Sequence, residues 1–473
     1  MDVTSLPFVL MAIAAVFVFY GISNKYKSAF LIILSLGFIA SFNLYLLAYI
    51  LAYACVNYFI GLKLTVVTWK KSLFRLGLVL NLLQLIILRY ASFAIDPFLE
   101  ALNISFKASS LSLILVPVGI SYFTLQGIGY LVNVKMGWEK PESRFPDFLL
   151  YITFFPKFLS GPIERSNHFL PQIKAFKTFN PGNVTTGLRL ILFGLFKKII
   201  VANHLATAVA FTYANNEAVG GLNILLVIMI QPLYLYFDFS GYTDIAIGVA
   251  KMFGIDLLPN FNRPFLSENV TTLWKRMHMS LSLWFNDYVF KQTSFRFRKW
   301  GKYASVFAVF LTFILFGIWH GAGWTFMILG FLQAVAINYE FFTKKWRVAV
   351  FSRMTDSLRI WTGRLFTYLF FGISHIFFFA PDLTTALGSF SKFKYLSHFT
   401  DDKVFHGPLF FGLIFALIFL IFEVIQNDYK DFYKKCCAYW SAHRLLRYTV
   451  YYVATFLIVS QLAGNTSFIY EMF

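Results

Sequence analysis

The sequence predicts an all-α polytopic membrane protein. Of its 473 residues, 58% are hydrophobic, 20% are aromatic and only 13% are charged, and the mean hydropathy is +0.66. Soluble globular domains have about 25% charged residues, so this composition excludes that class. A helix that crosses a bilayer needs about 20 apolar residues. We expect about 11 to 13 membrane helices, re-entrant elements included.

The apolar runs follow one another along the whole chain, and the first has neither a basic leader nor a small-residue cleavage site. We therefore expect it to be a retained helix and not a signal peptide. The runs are centred on residues 7–22, 28–60, 73–95, 111–134, 147–160, 186–213, 222–250, 303–319, 323–342, 357–380, 408–427 and 445–464.

Basic residues concentrate in the short segments between these runs. The chain has 41 Lys and Arg against 22 Asp and Glu, a net charge of +19. Clusters such as Arg296–Lys302 and Lys344–Arg347 are typical of cytoplasmic loops. They could also meet an anionic partner, either the phosphates of coenzyme A or an acidic carrier protein. Cys55 and the adjacent Cys436 and Cys437 have no metal-binding spacing, so we expect neither a metal site nor a disulfide.

Two prolines and a glycine interrupt the apolar run at Phe154–Arg165. They free backbone polar groups that lipid cannot satisfy. Such backbone is tolerated only where protein or a water-filled cavity surrounds it. We therefore expect a re-entrant element that lines an interior path.

The segment from Trp274 to Tyr288 sorts at 3.6 residues per turn into an apolar and a polar arc. Two interpretations stay open: an interfacial helix with its polar face in water, or a helix whose polar face lines a cavity. The polar arc contains Lys275, His278, Ser282 and Asn286, with Arg276, Ser280 and Asp287 beside it.

His320 lies between Trp319 and Trp324 inside a long apolar region. A polar side chain at that depth is costly unless it has a function or a partner. A neutral imidazole can take up and return a proton near neutral pH, so His320 and His278 form the main candidate pair for proton transfer. His375 has no second polar element nearby in sequence, and we interpret it as structural.

Asp238 and Asp244 place two carboxylates in an otherwise apolar helix. They could form a proton or cation relay, as in a transporter. We prefer the alternative that both are structural anchors, which hydrogen-bond between helices. The chain has no phosphate-binding loop and no zinc-protease or serine-hydrolase motif.

Several segments resemble the membrane-bound O-acyltransferase superfamily, in particular its bacterial branch. That branch contains the alginate O-acetylation membrane protein and the D-alanyl transfer protein of teichoic acid modification. The resemblance covers most of residues 110–330. Its motifs are Phe237–Gly248, Asn260–Phe265, Trp274–Trp284 and Trp319–Phe326, with shorter matches at Val116–Phe123, Phe155–Pro156, Ser160–Ile163 and Gly194–Lys198.

The resemblance implies that His320 is the catalytic histidine and that His278 occupies the second polar position of the active site. It also implies a ring of helices around a central tunnel and funnel, in a single domain over residues 1–473. The catalytic core would be about 110–330, with flanking helices over 1–109 and 331–473. The chain departs from the family pattern at Lys291–Ser294 and Leu329–Ala334, which bears on the acceptor or partner more than on the reaction.

With His320 and His278 as the candidate pair, the resemblance implies an acyltransferase that moves a short acyl group across the membrane, most simply acetyl from acetyl-CoA. It would serve O-acetylation of an extracytoplasmic polysaccharide, as in alginate or another exopolysaccharide, or of a cell-envelope glycan. Ser282, Asn286, Asp287, Trp319 and Trp324 are expected to line the substrate path.

Two alternatives stay open: D-alanyl transfer from a carrier protein to a cell-wall polymer, and a proton-coupled transporter. We expect a multi-pass protein of the bacterial inner (cytoplasmic) membrane that contacts lipid. Its partners would be a cytoplasmic acyl donor and an extracytoplasmic acyltransferase or glycan acceptor. No tightly bound cofactor and no nucleic acid are expected.

Overall fold

The structure, a computed structural model, describes residues 3–110, 119–396 and 398–461. It confirms the all-α class, because the described ranges contain helices and no strand. Residues Val116–Val118, part of one family-like motif, lie outside the described residues.

The α-helices are Leu6–Gly21, Asn24–Ala40, Leu44–Lys63, Lys70–Leu88, Ala91–Ala94, Asp96–Ala101, Ile120–Met136, Phe145–Thr153, Phe155–Phe158, Ser166–Lys174, Pro181–Leu195, Asn203–Ala214, Gly221–Met252, Val270–Trp274, Met279–Phe285, Lys291–Arg296, Lys302–His320, Trp324–Phe351, Asp356–Ser374, Ile376–Phe379, Leu383–Ser391, Gly407–Asp428, Lys430–Ala442 and Arg444–Gln461. Phe196–Ala202 and Asn286–Phe290 are π-helical, and Pro264–Leu266, Arg298–Trp300, Lys392–Tyr395 and Lys403–Phe405 are 3₁₀ turns.

Six helical segments in the described ranges are long and apolar enough to cross a membrane, so this is a multi-pass membrane protein. The number of crossings and the ring arrangement stay predictions. The six segments are Leu44–Lys63, Lys70–Leu88, Gly221–Met252, Lys302–His320, Trp324–Phe351 and Lys403–Asp428.

The described residues form two compact units. The first comprises residues 1–191, 243–259 and 283–292, and the second comprises residues 192–242, 260–282 and 293–473, within the described ranges.

The first unit contains the proline-rich break predicted between residues 154 and 165. One helix ends at Thr153 and a single short turn, Phe155–Phe158, follows. Side chains satisfy the backbone that this break frees: the Phe155 N–H donates to Ser35 Oγ (3.1 Å). Lys157 is completely buried, and its Nζ donates to the Tyr151 carbonyl (2.5 Å) and to the Gln126 side chain. The interruption is therefore a hydrogen-bonded structural element that is enclosed by the rest of the first unit.

The second unit contains an antiparallel pair of helices, Lys302–His320 and Trp324–Phe351. Glycines let the two backbones meet. A Cβ atom at Gly317 would lie 2.1 Å from the Phe326 carbonyl oxygen, and one at Gly330 would lie 2.1 Å from the Phe313 carbonyl oxygen. Any larger residue at either position would force the helices apart, so this packing fixes the position of the turn after His320.

Candidate active site

His320 is the last residue of its helix and is almost fully buried, with 4% of its surface exposed. Its Nδ1 lies 2.8 Å from the carbonyl oxygen of Phe316, one turn earlier. A carbonyl can only accept a hydrogen bond, so Nδ1 carries the hydrogen and the lone pair of the neutral ring is on Nε2. The helix end therefore sets both the orientation and the tautomer of a potential base.

His278 lies on the turn between the helices Val270–Trp274 and Met279–Phe285. Its φ of +45° is in the left-handed region, which is strained for a residue other than glycine and which clusters at functional sites. The ring is buried among aromatic side chains. Its centroid lies 6.4 Å from that of His320 and 5.7 Å from that of Trp319.

The sequence prediction of one continuous helix from Trp274 to Tyr288 is wrong at this turn. Two backbone groups on either side of His278 bond to a neighbouring segment. Met279 N–H donates to the Asn260 carbonyl (2.8 Å), and Asn262 N–H donates to the Arg276 carbonyl (2.9 Å). These long-range bonds explain why a helical pattern of side chains does not give a helix here.

His278 and His320 line one small cavity within the second unit, and their role in proton transfer stays a prediction. The cavity has a volume of about 20 Å³, which is room for about one water molecule. No group of three or more His, Cys, Asp or Glu side chains in the described ranges could hold a metal ion. Most of the cavity wall is apolar, with Phe239, Trp274, Met277, Phe316, Leu329 and Phe378 among its members.

His375 lines the same cavity. Its place there was not predicted from the sequence, because the polar groups beside it come from distant positions. Gln333 Nε2 donates to Ser374 Oγ (2.9 Å), and Trp274 Nε1 donates to Gln333 Oε1 (3.2 Å). One sequence signal could have pointed to His375: Phe-Gly-Ile-Ser-His at 371–375 repeats the Phe-Gly-Ile-Trp-His of 316–320.

The two tryptophans expected to line the substrate path lie in different surroundings. Trp319 is buried, and its ring centroid lies 4.9 Å from that of His320. Trp324 is 60% exposed at the start of the next helix, and it is not among the residues that line the cavity.

The three polar residues proposed for the substrate path are engaged elsewhere. Ser282 Oγ donates to the Met277 carbonyl (3.1 Å), and Ser282 is not among the cavity-lining residues. Asn286 and Asp287 belong to the first unit, where Asp287 forms ion pairs with Arg165 (3.3 Å) and Lys291 (2.9 Å). Their part in the substrate path stays a prediction.

Asp238 is fully buried and forms an ion pair with Lys198, with 2.5 Å between Oδ1 and Nζ. Asp244 is half-buried on the same helix. Six residues separate the two carboxylates, a rise of about 9 Å and a rotation that places them on different faces of the helix. This arrangement favours separate anchors over a two-carboxylate relay.

Comparison with known proteins identifies the family of this chain. The model of the membrane-bound O-acyltransferase family matches residues 141–380, which include both His278 and His320. The chain is 30% identical to the peptidoglycan O-acetyltransferase of Helicobacter pylori over 403 residues, covering 78% of this chain and 74% of that protein.

Two further relatives fall in the same group. A probable alginate O-acetylase AlgI of Azotobacter vinelandii is 31% identical over 322 residues, 66% of this chain and 63% of that protein. The teichoic acid D-alanyltransferase of Bacillus subtilis is 36% identical over 239 residues, 48% of this chain and 60% of that protein. The chain belongs to the membrane-bound O-acyltransferase family.

Proposed function

We propose that this acyltransferase transfers a short acyl group, acetyl from acetyl-CoA, to a hydroxyl group of an extracytoplasmic polysaccharide or cell-envelope glycan. The observation that carries the proposal is the His320 imidazole, held at a helix end with its lone pair on Nε2, in a small and mostly apolar cavity. Acyl transfer to a hydroxyl needs a base of this kind, within a site that excludes bulk water.

In the proposed reaction, Nε2 of His320 takes the proton from the acceptor hydroxyl while its oxygen attacks the thioester carbonyl. The resulting tetrahedral intermediate then loses its carbon–sulfur bond, and Nε2 returns the proton to the leaving thiolate. An ester and a free thiol result, and the imidazole is neutral again. His278, whose ring centroid is 6.4 Å from that of His320, would orient or polarise the acyl carbonyl.

The size of the cavity supports a short acyl group. A volume of about 20 Å³ is room for about one water molecule, so even an acetyl group needs the walls to move slightly, whereas a fatty acyl chain would need a long apolar channel. The walls are large aromatic side chains such as Phe316 and Trp274, which are buried and packed against each other at a centroid distance of 4.8 Å. Enlarging the cavity would require these rings to repack.

The relatives support the acceptor class. One is named for O-acetylation of peptidoglycan and another for O-acetylation of alginate, and both acceptors are carbohydrates. We accordingly place the protein in the cytoplasmic membrane of a bacterium, with a thioester donor on the inside and a glycan, or an acyl-accepting partner, on the outside.

A D-alanyl group carried by a protein thioester is the second candidate. It is favoured by the 36% identity to the teichoic acid D-alanyltransferase of Bacillus subtilis. Both donors would present a thioester to His320, so the two candidates share one mechanism. A proton-coupled transporter, the third alternative, is less well supported because Asp238 is paired with Lys198.

The test uses purified protein with radiolabelled acetyl-CoA, and separately with a carrier protein charged with D-alanine. We expect slow thioester hydrolysis or transfer with the correct donor. His320→Ala should lower the rate by about 10²–10⁴-fold, the usual contribution of a general base. His443→Ala is the matched control, since exposed His443 makes the same bond to a carbonyl four residues earlier (2.8 Å).

A His320→Ala rate within about threefold of wild type would contradict the assignment, because a threefold loss is far smaller than the usual effect of losing a general base. His278→Ala should also lower the rate. If the two histidines act as a unit, the double variant should be little worse than His320→Ala alone. Multiplicative losses would instead show that His278 acts independently of His320.

A further inference from the structure

The pentapeptide Phe-Gly-Ile-X-His occurs twice, at 316–320 and 371–375. Each copy ends a helix: Lys302–His320 in the first case, and Asp356–Ser374, which His375 caps, in the second. In each copy the histidine Nδ1 bonds to the carbonyl of the phenylalanine four residues earlier, at 2.8 Å for His320 and 2.7 Å for His375. Both imidazoles therefore have the same tautomer, with the lone pair on Nε2.

The glycine of each copy lies against the backbone of a neighbouring helix. A Cβ atom at Gly317 would be 2.1 Å from the Phe326 carbonyl oxygen, and one at Gly372 would be 2.4 Å from the Ile228 carbonyl oxygen. In each copy this close backbone contact fixes the helix about one turn before the histidine, so both imidazole rings have fixed positions.

Both rings line the same cavity. The ring of Phe378 contacts both, because its centroid lies 5.8 Å from each imidazole centroid. His375 is 2% exposed and His320 is 4% exposed. A substrate that reaches His320 Nε2 therefore enters a space that is also bounded by His375.

Chain direction places His375 on the side of the cavity from which we expect the acceptor. The helix Trp324–Phe351 leads away from the turn after His320, and the helix Asp356–Ser374 follows it and ends at the cavity again. The basic cluster Lys344–Arg347 lies at the distant end of the first helix and indicates the cytoplasmic side. The two histidine-bearing helix ends consequently lie together at the opposite, outer end.

We propose that His375 is an acceptor-binding residue whose Nε2 accepts a hydrogen bond from a second hydroxyl of the acceptor. His320 meanwhile takes the proton of the reacting hydroxyl. The site would then recognise an acceptor with two adjacent hydroxyl groups, as carbohydrates have. The inference rests on the proposed acyl-transfer function and extends it to the choice of acceptor.

Glycerol and 1-propanol are suitable acceptor probes, because both have three carbons but only glycerol has adjacent hydroxyl groups. With acetyl-CoA as the donor, wild-type protein should transfer acetyl to glycerol about tenfold faster than to 1-propanol at equal concentration, the effect of one good hydrogen bond. Equal rates with the two alcohols would overturn the inference.

Two substitutions of His375 separate binding from structure. In His375→Asn the side-chain amide can still donate to the Phe371 carbonyl, but nothing replaces Nε2. In His375→Gln the amide reaches the place of Nε2. We expect the Asn variant to lower the ratio of glycerol transfer to 1-propanol transfer about tenfold, to near one, and the Gln variant to restore part of that ratio. His443→Asn, an exposed counterpart with the same carbonyl bond, should change neither rate.

A loss that is equal for both alcohols would show a structural role for His375 and would overturn the inference, as would an Asn variant that keeps the preference. Failure of the proposed function is distinguishable from these results. In that case wild-type protein would neither hydrolyse acetyl-CoA nor transfer acetyl to either alcohol.

Discussion

The buried ion pair between Lys198 and Asp238 allows a test of whether Asp238 is a structural anchor or part of a proton relay. Both side chains are completely buried, and Nζ lies 2.5 Å from Oδ1. Their helices meet closely here, because a Cβ atom at Gly241 would lie 2.8 Å from the Gly194 carbonyl oxygen. Neither charge can therefore move far from the other without separating the helices.

Removal of one partner leaves the other charge buried and uncompensated, which costs about 3–5 kcal/mol. Asp238→Leu and Lys198→Met should each destabilise the protein by about that amount. The double variant removes both charges and replaces them by apolar groups of similar size. We expect its stability to lie within about 1–2 kcal/mol of wild type, because such replacements are often neutral.

The assay measures thermal unfolding in detergent as the fraction of protein that remains monodisperse after heating. The acetyl-transfer rate of each variant is measured alongside. Asp431→Asn is the control, since the exposed pair Lys434–Asp431 (3.3 Å) should contribute less than about 1 kcal/mol. A double variant as unstable as the sum of the single variants would refute the ion-pair account. A stable double variant without acyl transfer would show that these charges take part in the chemistry.

Two further predictions concern sidedness and pH. Gly323→Cys should react with a membrane-impermeant thiol reagent added outside intact cells and Lys345→Cys should not, because the basic end of the helix pair belongs in the cytoplasm; labelling of Lys345→Cys from outside would reverse the orientation. Burial raises the pKa of Glu139 to about 7 from its ordinary 4.5, although Ser166 donates a hydrogen bond to it. As the pH rises, Glu139 therefore stays protonated to a higher pH in the folded state than in the unfolded state. The free energy of unfolding should fall by up to about 3 kcal/mol as the pH rises from about 4.5 to about 7. Glu139→Gln should remove that fall in a thermal unfolding series, and an unchanged pH profile would contradict the assignment.

The sequence was sufficient for features that depend on composition and local pattern. The helical class, the break at residues 154–165 and the short turn after His320 follow from apolar runs interrupted by proline and glycine. Each of these signals acts over one or two helical turns, where the chain's own chemistry decides the outcome.

The features that the sequence did not predict depend on distant partners. Residues 275–278 leave the helical path because Asn260 and Asn262 bond to the adjacent backbone, and no periodicity of side chains encodes that contact. His375 looked isolated because Gln333, which bonds to Ser374 beside it (2.9 Å), lies 42 residues away in the sequence. Gln333 also belongs to the segment Leu329–Ala334, where we expect the chain to depart from the family pattern. Leu329, Gly330 and Gln333 of this segment line the cavity.

The helix ends also explain how His320 could act without a carboxylate to orient it. In hydrolytic triads a buried aspartate holds the imidazole and stabilises the charge that it acquires. No Asp or Glu is among the residues that line this cavity. Here the Phe316 carbonyl holds Nδ1 at 2.8 Å, and the negative end of the helix dipole lies beside the ring. Backbone groups therefore supply both the orientation and the charge stabilisation. The same arrangement at Phe371 and His375 gives the cavity a second imidazole of the same tautomer without the cost of burying an acidic side chain in an apolar wall.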